Sequence, residues 1–370
     1  MSFESWMERA LALAARGAGE VEPNPRVGCV LLQGEQVVGE GWHEFYGGRH
    51  AEAMALEQAA AAGAKPDTAV VTLEPCSTDK GIDGKKTAPC AQALIAAGIR
   101  RVVIGAVDGD PRHKRAGIAL LERQGIEVHD GVLASRCTAA NAPFLKWLRL
   151  DRPWTIAKWA MTLDGKTAAV TGEARWISGP ESRRKTHELR ARCDGVIVGF
   201  KTAQIDDPEL TVRHVQGKQP VRIVVDPLGE IDDDSNLVRT AKQWPTWLLA
   251  SEDVNPLRSG HLQDLGVQVV HIKAAEGPRR LHLKQAWREL RRRGLQRVLV
   301  EGGGGLLAEL MAWNCVDQVI AFVAPKIVGG RLAPTPVGGD GKAFMAEAWQ
   351  LQEVGYAPCG DDLMVRGFLP

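Results

Sequence analysis

The chain has almost no net charge. Over 370 residues the formal balance is +1, which excludes a global field drawing nucleic acid to the surface. No apolar run is long enough to span a bilayer. The N-terminus lacks the basic stretch and apolar core of a secretory leader and instead predicts an amphipathic, acid-containing helix over Phe3–Ala15. Cysteine is sparse: seven residues, at 29, 76, 90, 137, 193, 315 and 359. An odd, scattered set is no disulfide framework; it fits metal binding or free thiols in a reducing compartment. Internal repeats and low-complexity tracts are missing. The 11 Trp are spread over both halves, which suits cores and interfaces better than a stacking platform for single strands. A cytoplasmic protein with no nucleic-acid or membrane partner is expected.

What is present is an apolar content of 45% and a charged content of 25%, as in globular proteins, on a chain long enough for two domains. In the first half, helix 51–62, strand 69–74, helix 91–97, strand 101–105, helix 117–124 and strand 126–128 follow a hairpin of strands 27–32 and 37–42. This predicts an α/β layered sandwich. The alternation breaks over Asn141–Pro153, and the boundary is placed at 146/147. In the second half, strands at 154–159, 195–199, 221–226, 247–250, 267–272 and 297–301 are separated by loops and by helices such as Pro180–Ala191 and Lys284–Arg293. Segments 316–323 and 363–368 read as further sheet.

The chemistry concentrates at His50-Ala51-Glu52, Pro75-Cys76 and Cys90. One His and two Cys can hold a zinc ion with a fourth position open, as a catalytic zinc requires. A Glu two residues past the ligand His is placed to shuttle a proton between a zinc-activated water and a leaving amine, the zinc deaminase arrangement. Each residue alone has a plainer reading: His50 as a helix cap, Glu52 as an acid at a helix start, the cysteines as small buried residues. Their order between strands and helices reverses the odds. Cys90 opens a helix, which favours the thiolate a ligand must be.

In the second half, the strand 297–300 runs through Glu301-Gly302-Gly303-Gly304-Gly305 into a helix predicted over Leu306–Trp313. Such a turn lets backbone N–H groups approach a phosphate. A tight turn with close helix packing explains it equally well, since G-x-G-x-x-G is not present. Leu163-Asp164-Gly165-Lys166 and Asp206-Asp207-Pro208-Glu209-Leu210-Thr211, ending at Arg213, are further clusters at strand ends or in loops, where α/β proteins carry function.

These motifs, with Pro23-Asn24-Pro25-Arg26-Val27-Gly28, Thr87-Ala88-Pro89-Cys90, Gly172-Glu173-x-x-Trp176-Ile177, Val198-Gly199-x-x-Thr202, Val316-Asp317 and Ala324-Pro325-Lys326, make the chain resemble the bifunctional riboflavin-biosynthesis deaminase–reductases along essentially its full length. The resemblance implies a cytidine-deaminase-like three-layer domain over 1–146 and a dihydrofolate-reductase-like domain over 147–370. It implies zinc on His50, Cys76 and Cys90, with Glu52 as proton shuttle, and Asn24 and Lys86 at the deaminase substrate. It implies NADPH lined by Ala160, Trp176, Thr202, Asp206, Pro227, Gly303, Gly304 and Gly305, and a reductase substrate faced by Ala174, Leu210, Arg213 and Glu301. Arg213 would hold the phosphate, which a guanidinium fork matches. The expected reactions are hydrolytic loss of the 2-amino group of a diamino-ribosylaminopyrimidinone 5′-phosphate, then reduction of ribosyl to ribityl. The expected partner is this phosphorylated pyrimidine, and the expected assembly a homo-oligomer.

The chain departs from the family pattern in several places. The loop between Cys76 and Cys90 is longer and lacks the family His after Ser77. Asp-Pro-Asn-Pro becomes Asp110-Pro111-Arg112-His113. Ala174 and Pro227 stand where Ser is common. Two rival readings remain: a zinc deaminase of another small pyrimidine or purine with an altered reductase domain, and a non-catalytic nucleotide-binding protein. Intact Asp206 and Arg213 argue against the first, and intact Glu52 with its three ligand candidates against the second.

Overall fold

Alternation along the first-half strands dictates two covered faces. The computed structural model describes residues 2–77, 89–275 and 280–370, and the chain divides into two compact units, Met1–Leu150 and Asp151–Pro370. The first contains α1 (Phe3–Ala15), β1 (Gly28–Gln33), β2 (Gln36–Trp42), α2 (Ala51–Ala61), β3 (Thr68–Leu73), α3 (Cys90–Ala96), β4 (Arg101–Ala106), α4 (Ala116–Arg123), β5 (Glu127–His129), α5 (Ala134–Ala140) and α6 (Ala142–Leu148). Its sheet order is β2-β1-β3-β4-β5, with β1 antiparallel to β2 and β3, and β3, β4 and β5 parallel. Leu31, Val71, Val102 and Ile104 pack under α2, α3 and α4. Their neighbours Val30, Leu32, Val70 and Val103 pack under Trp6, Met7, Ala10 and Leu13 of α1. The result is a three-layer α/β/α sandwich.

The division falls at 150/151 rather than 146/147, because α6 is a continuous helix of the first unit. A side chain at Gly109 would meet Leu145, and Leu148 lies just beyond.

The second unit contains β6 (Trp154–Thr162), α7 (Pro180–Ala191), β7 (Gly195–Gly199), α8 (Phe200–Asp206), β8 (Val221–Val225), α9 (Asn236–Arg239), β9 (Thr246–Ser251), α10 (Pro256–Asp264), β10 (Gln268–Ile272), α11 (Leu283–Arg292), β11 (Arg297–Val300), α12 (Gly304–Ala312), β12 (Gln318–Ala324), β13 (Gln352–Cys359) and β14 (Asp362–Phe368). The nine strands run β10-β9-β8-β7-β11-β6-β12-β14-β13, parallel except for β14. Trp287 and Leu290 of α11 and Leu307 and Leu310 of α12 close the core over Ile197, Ile223 and Val298. Parallel strands bring all their C-terminal ends to one edge, where α/β sheets hold ligands. That edge carries a groove of about 1260 Å³.

Sequence reading missed α5, α6, α8, α9, α10 and β13. β13 is an edge strand with mostly exposed residues, so it shows no apolar alternation. The glycine-turn helix begins at Gly304, not Leu306, because glycine hides a helix start from a hydrophobicity pattern.

Candidate active sites

In the first unit, β3 ends at Leu73 and hands the chain to Glu74-Pro75-Cys76. The buried Glu74 carboxylate accepts backbone N–H bonds from Asp108 (3.1 Å), Arg115 (2.9 Å), Gly117 (2.9 Å) and Ile118 (3.3 Å). It thereby ties the 108–118 segment to the strand end beside Cys76. A Cβ on Gly117 would lie 1.9 Å from the Pro75 carbonyl oxygen, so this approach requires glycine.

Cys90 is the first residue of α3, and its backbone N–H reaches Cys76 Sγ at 3.3 Å. His50 precedes α2, with Nδ1 at 3.2 Å from Cys90 Sγ and 3.6 Å from Cys76 Sγ. The three donor atoms lie within 4.8 Å of one another. Tetrahedral zinc bonds of about 2.3 Å to sulfur and about 2.05 Å to nitrogen separate N from S by about 3.5 Å. The donor set therefore fits zinc with one position left open. Contact with Cys76, then burial, pushes the Cys90 thiol well above its ordinary value; a dication among these donors removes that penalty.

Glu52, in the first turn of α2, is buried and adjoins Cys76 and Cys90. Burial, then the Cys76 charge, pushes its carboxyl up. Sequence reasoning missed His43, just past β2. Its Nδ1 meets the Arg49 carbonyl at 2.7 Å and its Nε2 meets Asn24 Nδ2 at 3.1 Å. Its ring stands edge-on to His50, centroids 5.4 Å apart. With Nδ1–H donating to the carbonyl, Nε2 accepts from the Asn24 amide and leaves Asn24 Oδ1 available. The signal available in sequence was a His at the strand end preceding His50. Lys86 and the rebuilt 78–88 loop lie outside the described residues.

The second-unit groove gathers the remaining expected residues. Ala160, Trp176, Thr202, Asp206, Pro227 and Gly303–Gly305 line it, as do Ala174, Leu210, Arg213 and Glu301. Gly303 has φ +80°, and a Cβ there would meet Thr202 Oγ1 at 3.3 Å. Nothing lies within 4 Å of where Cβ atoms on Gly302 or Gly305 would stand. Bare backbone of this kind fits a phosphate-bearing cofactor.

Sequence reasoning saw Lys158 only as part of a family motif, with no site role, and missed Arg190. Arg190 pairs through two nitrogens with the Glu301 carboxylate and donates to the Thr211 carbonyl at 2.9 Å. Lys158 Nζ lies 3.5 Å from Glu301 Oε2. Burial pushes the Glu301 carboxyl up, but the Arg190 and Lys158 charges outweigh it and hold it at about 2. Burial lowers the Lys158 ammonium. Lys158 lies on β6 and Arg190 on α7, far apart in sequence, so their convergence on Glu301 shows only once β6, β11 and α7 pack.

Two expected clusters divide. Asp164 accepts from Thr162 Oγ1 (2.6 Å) and the Gly329 N–H (2.7 Å), so it fastens a loop. Asp207, in the left-handed region at φ 39°, takes the Asn236 N–H and amide at 2.8 Å each and likewise fixes chain. Arg213 faces the groove, half-exposed, pairs with Glu209 and reaches Thr211 Oγ1 at 3.2 Å.

Two family models match the chain: the cytidine and deoxycytidylate deaminase zinc-binding region over residues 1–106 and the RibD C-terminal domain over residues 153–365. The riboflavin biosynthesis protein RibD of Actinobacillus pleuropneumoniae is 36% identical over 370 residues, 99% of this chain and 95% of that protein. The Aquifex aeolicus RibD is 36% identical over 98% of this chain and 97% of its own. Among solved structures, Acinetobacter baumannii RibD superposes with a TM-score of 0.71 at 31% identity, covering 100% of this chain and 99% of that one. A Thermotoga maritima diaminohydroxyphosphoribosylaminopyrimidine deaminase/5-amino-6-(5-phosphoribosylamino)uracil reductase gives 0.67 at 30% identity, covering 100% and 98%. A zinc-type deaminase unit followed by a reductase unit, with full-length relatives of one kind, leads to one conclusion: the chain belongs to the RibD family of bifunctional deaminase–reductases of riboflavin biosynthesis.

Proposed function

We propose that the first unit deaminates 2,5-diamino-6-ribosylamino-4(3H)-pyrimidinone 5′-phosphate by hydrolysis. The second unit then uses NADPH to reduce the ribosyl group of the product to ribityl. The observation that carries this reading is the pairing of a three-donor metal cluster plus buried Glu52 with a glycine-turn groove holding Lys158, Glu301 and Arg190. His50, Cys76 and Cys90 would hold zinc, which when bound makes water nucleophilic near neutral pH. Glu52 would accept a proton from the attacking water and return one to the departing amine. His43 fixes the Asn24 amide, so that Asn24 Oδ1 meets a donor on the pyrimidine.

In the groove, Ala160, Trp176, Thr202, Asp206 and the 303–305 turn would seat NADPH, which supplies hydride. Opening a ribosyl ring needs hydride at C1′ and a proton at the ring oxygen. Lys158, with its affinity for protons lowered by burial, is placed to give that proton, and Glu301, clamped by Arg190, positions it. Arg213 would hold the 5′-phosphate, exchanging its Glu209 partner for it. All seven cysteines are free and no helix among the described residues is long and apolar enough to cross a membrane. The free thiols support a reducing setting. Incubation with the diaminopyrimidine phosphate, with and without NADPH, tests the whole reading by mass. Loss of the amino group should need no NADPH, and the gain of two hydrogens should need it; no mass change in either case would refute it.

A further inference from the structure

The cations lining the second-unit groove are unequally engaged. Lys158 and Arg190 serve Glu301, Arg213 serves Glu209, and Arg280 lies 3.4 Å from Glu309. Arg183 stacks on Trp176 and bonds the Ser178 carbonyl at 2.6 Å, while Arg175 donates to the Asp206 carbonyl at 3.3 Å. Lys201 and Arg331 are exposed, line the groove and have no acidic partner among the described residues. Arg331 follows β12, close to the 333–334 segment that receives Lys166 and Thr167 just after β6. Lys201 stands on the other side, in α8 after β7.

Strand order says what each side faces. From β6 through β11 and β7 to β8 is three strand spacings, about 14 Å. Ala160 marks one end, the glycine turn after β11 the middle, and Pro227, past β8, the far end. A diphosphate approaches the bare glycine backbone. A nicotinamide toward β6 and Glu301, where the sugar would be reduced, would leave the adenosine toward β8. Gly199 and Val225 are register partners at the ends of neighbouring strands; Lys201, in the first turn of α8, and Pro227, just past β8, follow those two ends, and both line the groove.

Little else at this end can meet an anion. Pro227 has no N–H. The Asp226 carboxylate is taken by the backbone N–H groups of Gly229 (3.0 Å) and Ile231 (2.8 Å), and Glu230 lines the same wall. A phosphate on the adenosine ribose therefore finds one uncommitted counter-charge.

We propose that Lys201 is the specificity-determining residue that makes this groove favour a dinucleotide phosphorylated on its adenosine ribose over the unphosphorylated one. This rests on the reading that the cofactor is NADPH. An ammonium on a flexible stem can follow a phosphate as a point charge, whereas the unphosphorylated ribose gains nothing from it. The proposal is tested by fluorescence titration of the full chain, as wild type, Lys201→Ala and Lys201→Arg, with NADPH and with NADH. Lys201→Ala should weaken NADPH binding by about ten- to a hundredfold, as loss of a charged hydrogen bond does. NADH binding should stay put, and Lys201→Arg should restore most of the preference. Wild-type protein binding NADH as tightly as NADPH would overturn the cofactor reading itself. Wild-type preference for NADPH that survives Lys201→Ala, or an equal loss for both dinucleotides in a folded variant, would overturn the assignment to Lys201 alone.

Discussion

At the scale of single residues, the first unit sorts its cysteines by neighbours. Cys29 is fully buried in the core beneath α2, and burial pushes its thiol well up; Cys90 faces His50 and Cys76. Cys90→Ser should lose zinc, and Cys29→Ser should keep it, by elemental analysis of purified protein. Equal retention would undo the ligand assignment. Glu52→Gln keeps the shape of the side chain and removes its ability to take a proton. Deamination should fall by about 10² to 10⁴-fold with zinc content unchanged, while reduction of supplied deaminated substrate continues. Arg213→Lys keeps charge but not the two-pronged geometry. It should raise the reductase KM for the phosphorylated substrate by about tenfold or more, and much less for a dephosphorylated analogue. A uniform change in both would move the phosphate elsewhere. These residues could be proposed from sequence because their types and spacing suit the chemistry. Site roles for His43, Lys158 and Arg190 could not, because each meets a partner distant in sequence: Asn24 for the first and Glu301 for the others.

At the scale of elements, most helices and strands could be read because apolar period and caps agree. Pro180 at the start of α7, and the apolar run of β3 bounded by polar turns, are examples. Among the elements that escaped are two whose local signal is weak: β13 on an edge, and α8, whose one fully buried residue is Ala203. How elements meet was invisible, and Gly117 shows why. Alanine is normally the better helix residue, yet here a Cβ would collide with the Pro75 carbonyl. Gly117→Ala should therefore destabilise the first unit by about 1–3 kcal/mol in denaturant titration. It should also lower zinc occupancy by pushing α4 from the strand end that carries Cys76. A gain in stability would show that this contact relaxes freely.

At the scale of the whole molecule, two units with separate cores should fail separately. Asp317 is fully buried and receives Arg152 through two nitrogens, at 2.6 and 2.9 Å, along with the Thr155 N–H at 2.9 Å. Asp317→Ala leaves a buried guanidinium without its counter-charge, a loss of about 3–5 kcal/mol. Reduction should disappear at a denaturant concentration where zinc content and deamination persist; simultaneous loss of both activities would show that the units unfold together. Sequence alone determined the fold class, the family, the glycine turn and the three donors that the fold gathers, because those depend on residue type, period and order. Tertiary structure decided the rest. Packing of β6, β11 and α7 made Glu301 a clamped anion beside a lysine, the strand order brought Lys201 and Pro227 into one groove, and α6 drew the boundary to residue 150. The physical reason is that charge state and close approach are set by neighbours in space, and a chain's pattern records which residues it has rather than which ones meet.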